Sequence, residues 1–103
     1  MELTIEQFCA ALHRATLGGD RDSQGAEGEA IWALLEAIER KHGGGKVALE
    51  GSSEDLFAKL GQLAGVVELP LEEIMQGVDG VARRLAGFEA FTAEVRETAD
   101  ATT

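Results

Sequence analysis

Cysteine occurs once in the 103 residues, at Cys9. A single thiol excludes an internal disulfide framework and fits a reducing compartment. Long hydrophobic runs are missing too: the longest aliphatic stretch, Ile31 to Leu35, is five residues, against the roughly 20 needed to cross a bilayer. Met1 is followed by Glu2 with no positively charged region after it, so no secretory signal is expected and the chain reads as cytoplasmic. Basic side chains are scarce, nine Lys and Arg against nineteen Asp and Glu. The net charge of −10 argues against a nucleic-acid backbone or an anionic membrane as the direct partner. The complementary choice is a protein with a basic surface, such as one in a nucleic-acid-handling complex.

Catalytic and cofactor motifs are also absent, and each near-match fails on context. His42-Gly43-Gly44-Gly45 spells the oxyanion signature of some lipases. No G-x-S-x-G elbow accompanies it, so it reads as a glycine helix stop. Gly45-Lys46 lacks the first glycine and the Ser or Thr of a P-loop. Cys9 and His13 share one side of a helix, the geometry of two metal ligands. Two are too few; with His42 as a third, nothing supplies a fourth. As nucleophile and base the pair has no orienting third residue. Leu63-Ala64-Gly65-Val66 has the turn of a helix-turn-helix, but Pro70 falls inside the would-be recognition helix, and Glu68, Glu72 and Glu73 would face phosphates. No cofactor, metal or enzymatic activity is expected.

What is present is helical patterning. Hydrophobic residues make up 45% and charged residues 27%, the usage of a folded globular domain, and the length suits one domain over residues 1–103. Thr4 to Gln7 forms a capping box, after which Ile5, Phe8, Cys9, Leu12 and Thr16 fall on one face until Gly18-Gly19. Residues 18–28 read as a flexible, non-periodic loop. A second helix is expected from Glu29 to His42, with Ile31, Leu34, Leu35 and Ile38 buried, and a short strand over Lys46 to Glu50. Ser52 or Ser53 caps a third helix whose apolar face is Leu56, Phe57, Leu60, Leu63 and Ala64. After Pro70, the steps Leu71, Ile74, Val78, Val81, Leu85, Phe88, Thr92 and Val95 describe one long seam. Gly77, Gly80 and Gly87 interrupt it, so either the helix breaks near Gly87 or the glycines admit a close neighbour. Residues 98–103 read as a frayed tail. The fold class is therefore all-α, a small single-domain bundle of four to five helices with a long C-terminal helix for which a break near Gly87 is the favoured reading. Val78, Val81, Leu85 and Phe88 are its expected centre.

Function is expected from charge. Between positions 50 and 79, seven carboxylates face one lysine. Glu54, Asp55, Glu68, Glu72, Glu73 and Asp79, with the lone Trp32 as an aromatic anchor, are the candidate partner-binding residues. In size, acidity and lack of catalytic motifs the chain resembles, in type, the small phage-encoded anti-restriction and anti-CRISPR proteins. That likeness implies a non-enzymatic acidic inhibitor occluding a basic nucleic-acid-binding protein surface. The alternative is a helical assembly or accessory subunit, a homodimer through the Leu71–Val95 seam.

Overall fold

Thr4 and Gln7 fasten the first helix by satisfying each other's backbone donors, both at 3.1 Å. The helix they start, α1 (Ile5–Leu17), buries Ile5, Phe8, Cys9, Leu12 and Thr16 as its spacing requires, and ends on Gly18 in the left-handed conformation. The computed structural model describes residues 1–18, 25–85 and 87–102, with side chains as far as Thr98. The other helices are α2 (Gly25–His42), α3 (Ser53–Ala64), α4 (Leu71–Arg84) and α5 (Phe88–Thr102). The strands β1 (Glu2–Thr4) and β2 (Lys46–Ala48) form one antiparallel pair with Leu3 opposite Val47. The protein is an all-α bundle, 75% helical among the described residues.

The pair of strands closes a small lid over the bundle. Leu3 and Val47 both point inward and are buried, as alternation along so short a ladder demands. Gly45 connects it to α1, accepting a hydrogen bond from the Ile5 N–H at 3.0 Å. The strand expected over Lys46 to Glu50 is thus present but shorter; its partner β1 was not expected from sequence, because three residues carry too little periodicity.

Helix α2 lies at the centre, packed against α1, α3 and α4, while α5 packs on α1. The largest fully buried side chains are Phe8, Leu12, Ile31, Leu34, Ile38, Leu56, Leu60, Val81 and Phe91, with Ile5 beside the lid. This corrects the expected centre. Val81 and Leu85 are buried, but Val78 and Phe88 are only partly so, and Leu71 stands 71% exposed. The break expected near Gly87 is present. The chain leaves the helix at Leu85, whose dihedrals are extended, and turns at Gly87 with φ +121°, a backbone open to glycine at little cost. Ser53 at the start of α3 then receives the Phe88 N–H on its hydroxyl at 3.1 Å, which supplies the first turn of α5 with an acceptor. The break resets the helical register, so Phe91, absent from the seam, becomes a core residue.

Both readings of the glycines hold, at different positions. Gly77 and Gly80 lie inside α4 and buried against α2. A Cβ on Gly77 would come within 2.8 Å of the Leu34 side chain and 3.0 Å of the Ala30 carbonyl oxygen, and one on Gly80 within 2.9 Å of Ile31. The two helices approach closer there than a side chain allows.

Two boundaries also move. Residues 25–28, expected in the flexible loop, form the first turn of α2, with Gly28 buried; residues 19–24 of that loop lie outside the described residues. Residues 98–102, expected to fray, continue α5. Long-range pairing accounts for the first change. Glu27 meets Arg83 at 2.6 Å and Arg84 at 2.7 Å, tying the start of α2 to the end of α4. The Arg84 hydrogen bond first, opposed by desolvation and aided by the charges of Arg83 and Arg84, holds the Glu27 carboxyl below its ordinary 4.5. A carboxylate whose folded value is depressed stabilises the fold above its unfolded value, and that contribution is lost as pH falls through the folded one. Thermal melts between about pH 6 and pH 3 are therefore expected to show a smaller acid-induced drop in Tm for Glu27→Gln than for the parent. An identical drop would mean that the pair contributes nothing.

Candidate functional site

The acidic residues singled out from sequence divide into two groups in space. Ser52 caps α3, its hydroxyl accepting from the Asp55 N–H at 3.1 Å. Asp55 in turn accepts the Glu50 N–H on Oδ2 at 2.6 Å. That carboxylate is occupied by the chain itself, which is the usual work of an acid in a first helical turn. Glu54 beside it is exposed. Both sit at the α3 end that touches Phe88, whereas Glu68, Glu72 and Glu73 sit at the other end. The twelve residues of α3 separate the two groups by about 18 Å. The six carboxylates therefore do not make one cluster.

Glu68, Glu72, Glu73 and Asp79 lie along α4 and the connection leading into it. Glu68 is exposed in the connection before α4, Glu72 and Glu73 occupy the first turn, and Asp79 is exposed two turns on. A heptad separates Glu72 from Asp79, so they share one side of the helix. The carboxylates in the first turn also face the uncapped N–H groups there, since Pro70 offers no side-chain cap.

Among these carboxylates stand apolar side chains that the seam had assigned to the interior or passed over. Leu71 is 71% exposed and Met75, one turn further along α4, is 55% exposed; Val66, in the connection leading into the helix, is 53% exposed. Packing on α2 explains their position. Gly77, Gly80 and Val81 define the face of α4 that meets α2, and Leu71 and Met75 fall on another side of the helical wheel. One sequence signal pointed there: Met75 lies four residues after Leu71 but off the seam.

Trp32 is half-buried, its indole Nε1 donating to Glu36 at 2.9 Å and its ring meeting His13 edge-on with centroids 4.6 Å apart. It forms a ridge between two recesses. One, of about 420 Å³, runs along Ala33, Ala37, Arg40 and Lys41 to Glu68 and Leu69, so Trp32 and Glu68, distant in sequence, share a cleft. Arg40 in that cleft is held by Glu36 at 2.9 Å. The other recess, of about 400 Å³, lies between α1 and α2.

The remaining chemical candidates are occupied or quiet. The Cys9 thiol is pushed up to about 12, by burial first and by the Glu39 charge second, so it stays protonated and is a poor nucleophile at neutral pH. Burial lowers the His13 value, which keeps that imidazole neutral. The Nε2 of His42 lies 3.1 Å from the Leu63 carbonyl oxygen. As a donor it pins the end of α2 to α3, and the glycine turn after it closes with the Gly45 N–H on the His42 oxygen at 2.8 Å. Among the described residues no three His, Cys, Asp or Glu side chains converge as metal ligands, and no helix is long and apolar enough to cross a membrane. Comparison with protein-family models, curated proteins and solved structures returned no match.

Proposed function

We propose that the protein is a non-enzymatic protein-binding module whose α4 face docks on a basic protein surface, and that it acts in the cytoplasm as an inhibitor covering a nucleic-acid-binding site, as anti-restriction and anti-CRISPR proteins do in type. One observation carries this reading: Leu71 and Met75 are exposed among Glu68, Glu72, Glu73 and Asp79. An exposed leucine alone carries no message. Two large apolar side chains one turn apart with a charged rim have the anatomy of an interface, an apolar centre that gains on desolvation and a rim that steers the partner. Burying each is worth about 1.5–3 kcal/mol.

The same exposed pair favours a second reading, a homodimer. Charge weighs against it, because a two-fold contact through this face sets like carboxylates opposite each other in a chain of net charge −10. Of the rest of the seam, Val81, Leu85 and Val95 are already buried within the chain, and Ile74, Val78 and Phe88 pack partly buried against its core. Sedimentation equilibrium separates the two readings by giving a monomer or a dimer mass.

The test is affinity capture from the source cells with the parent and with Glu68→Lys, Glu72→Lys and Glu73→Lys combined. The parent is expected to recover a nucleic-acid-handling protein, and the reversal to weaken that complex at least roughly tenfold at low salt. Raising the salt should weaken the parent complex as well, since exposed charges are screened over about 8 Å at physiological ionic strength. Reversal in the first turn of α4 also costs about 0.3–1 kcal/mol of helix stability per residue, so circular dichroism must show an intact fold. Glu54→Lys, at the far end of α3, should change binding by less than about twofold. Equal binding by parent and triple variant at low salt would reduce the face to a solvated surface.

A further inference from the structure

Two stripes with the same spacing face each other across the recess between α1 and α2. Glu6, Cys9, Ala10 and His13 come from α1, and Trp32, Leu35, Glu36 and Glu39 from α2, each set at helical steps of three, four and seven. Cys9 and Leu35 are buried and make an apolar floor. Trp32 forms an aromatic wall. The volume of about 400 Å³ lies within the range of small-ligand sites, roughly 300–1,000 Å³.

The charges around this recess do not balance. Arg14, at its edge, is turned to α5 and held by Glu94 at 3.1 Å and Glu97 at 3.3 Å. Glu36 is taken up by the Trp32 indole and by Arg40, both at 2.9 Å. His13 is neutral and its Nε2 is buried without a hydrogen-bond partner. Glu6 and Glu39 remain, exposed on opposite walls, and among the described residues neither carboxylate has a hydrogen bond or ion pair. The field of Glu39 reaches the floor, because it helps to keep the Cys9 thiol protonated. A field that disfavours a thiolate there favours a cation.

We infer that this recess binds an alkylammonium or alkylguanidinium group, belonging to a free amine or to a lysine or arginine side chain. The charged head sits between Glu6 and Glu39 at one end of the recess, and the alkyl body lies on Cys9, Ala10 and Leu35 toward the Trp32 ring at the other end. Anions and neutral polar ligands gain nothing from this arrangement. The site is separate from the α4 face and does not depend on it.

Trp32 makes the experiment direct, since the chain has one tryptophan and no tyrosine; its intrinsic emission reports the two recesses it borders, and variants at Glu6 and Glu39, which line only this one, tell them apart. The parent protein is titrated at constant ionic strength with butylammonium, butylguanidinium, N-acetyl-lysine-N-methylamide, sodium ion and neutral 1-butanol. A saturable change with a dissociation constant on the order of millimolar is expected for the alkyl cations, and none for sodium. Glu6→Gln and Glu39→Gln should each weaken it about 2–5-fold, and the double variant more. Saturation by butylammonium and the capped lysine together assigns a side chain as the natural occupant; saturation by butylammonium alone assigns a free amine. An equal response to 1-butanol, or no saturable response to any alkyl cation, overturns the proposal without reference to any variant.

Discussion

Phe8→Ala is expected to cost about 3–5 kcal/mol of unfolding free energy, a large part of the 5–15 kcal/mol that holds a typical domain together. Phe8 is fully buried and meets Phe91, also fully buried, in an edge-to-face contact with ring centroids 5.7 Å apart. Truncation removes the transfer free energy of the ring, leaves a cavity between α1 and α5, and strips Phe91 of an aromatic neighbour. Leu71→Ala is the contrasting substitution. At 71% exposure it should change stability by less than about 0.5 kcal/mol, although the spacing of the sequence puts Leu71 on the same seam as Val81. Urea denaturation of both variants checks the pair. Comparable losses would return Leu71 to the core and remove the centre of the proposed interface.

Gly77→Ala is expected to destabilise the protein by up to about 2 kcal/mol, even though alanine is the better helix former. The propensity gain is about 1 kcal/mol, but the new Cβ would stand 2.8 Å from Leu34 and 3.0 Å from the Ala30 carbonyl oxygen. A flexible tip cannot absorb that contact, because one of the atoms is backbone and another is the Leu34 Cβ. Helices α2 and α4 must separate, and overpacking of this kind costs about 1–3 kcal/mol or more. Gly61→Ala provides the opposite sign. Gly61 is exposed within α3, no atom lies within 4 Å of its would-be Cβ, and its φ is ordinary, so alanine there should stabilise by up to about 1 kcal/mol. Denaturation midpoints decide between the two mechanisms. If Gly77→Ala stabilises as Gly61→Ala does, the close approach of α2 and α4 is not real.

These two glycines show where sequence was legible and where it was not. Local chemistry was readable: the Thr4–Gln7 box, the Ser52 cap and the stripes of α1 and α2 are decided within a few residues of chain. A 3-4 spacing also identifies a buried face, but it presumes an unbroken register. Between Leu85 and Gly87 that presumption fails and Phe91, off the seam, enters the core, whereas Leu71 is left exposed upstream of the break because α4 meets α2 through Gly77, Gly80 and Val81. Glycines within a helix announce a cost; only the partner helix shows that Gly77 is a contact and Gly87 a turn. The acidic site was half legible for the same reason. Adjacency along the chain joins Glu54 and Asp55 to Glu68, yet α3 holds them apart, and the Asp55 carboxylate is committed to the Glu50 N–H. Trp32 and Glu68 meet in a cleft that no spacing rule relates.

Amide hydrogen exchange on the free protein and on its captured complex tests the binding face most directly. Pro70 gives α4 no side-chain cap, so its first N–H groups lack intrahelical partners and should exchange rapidly in the free protein. Binding through this face predicts new protection concentrated over residues 66–79, with α1 and α5 unchanged. Protection confined to α1 and α5, or none over residues 66–79 in a complex that is demonstrably formed, would contradict the assignment of this face as the docking surface.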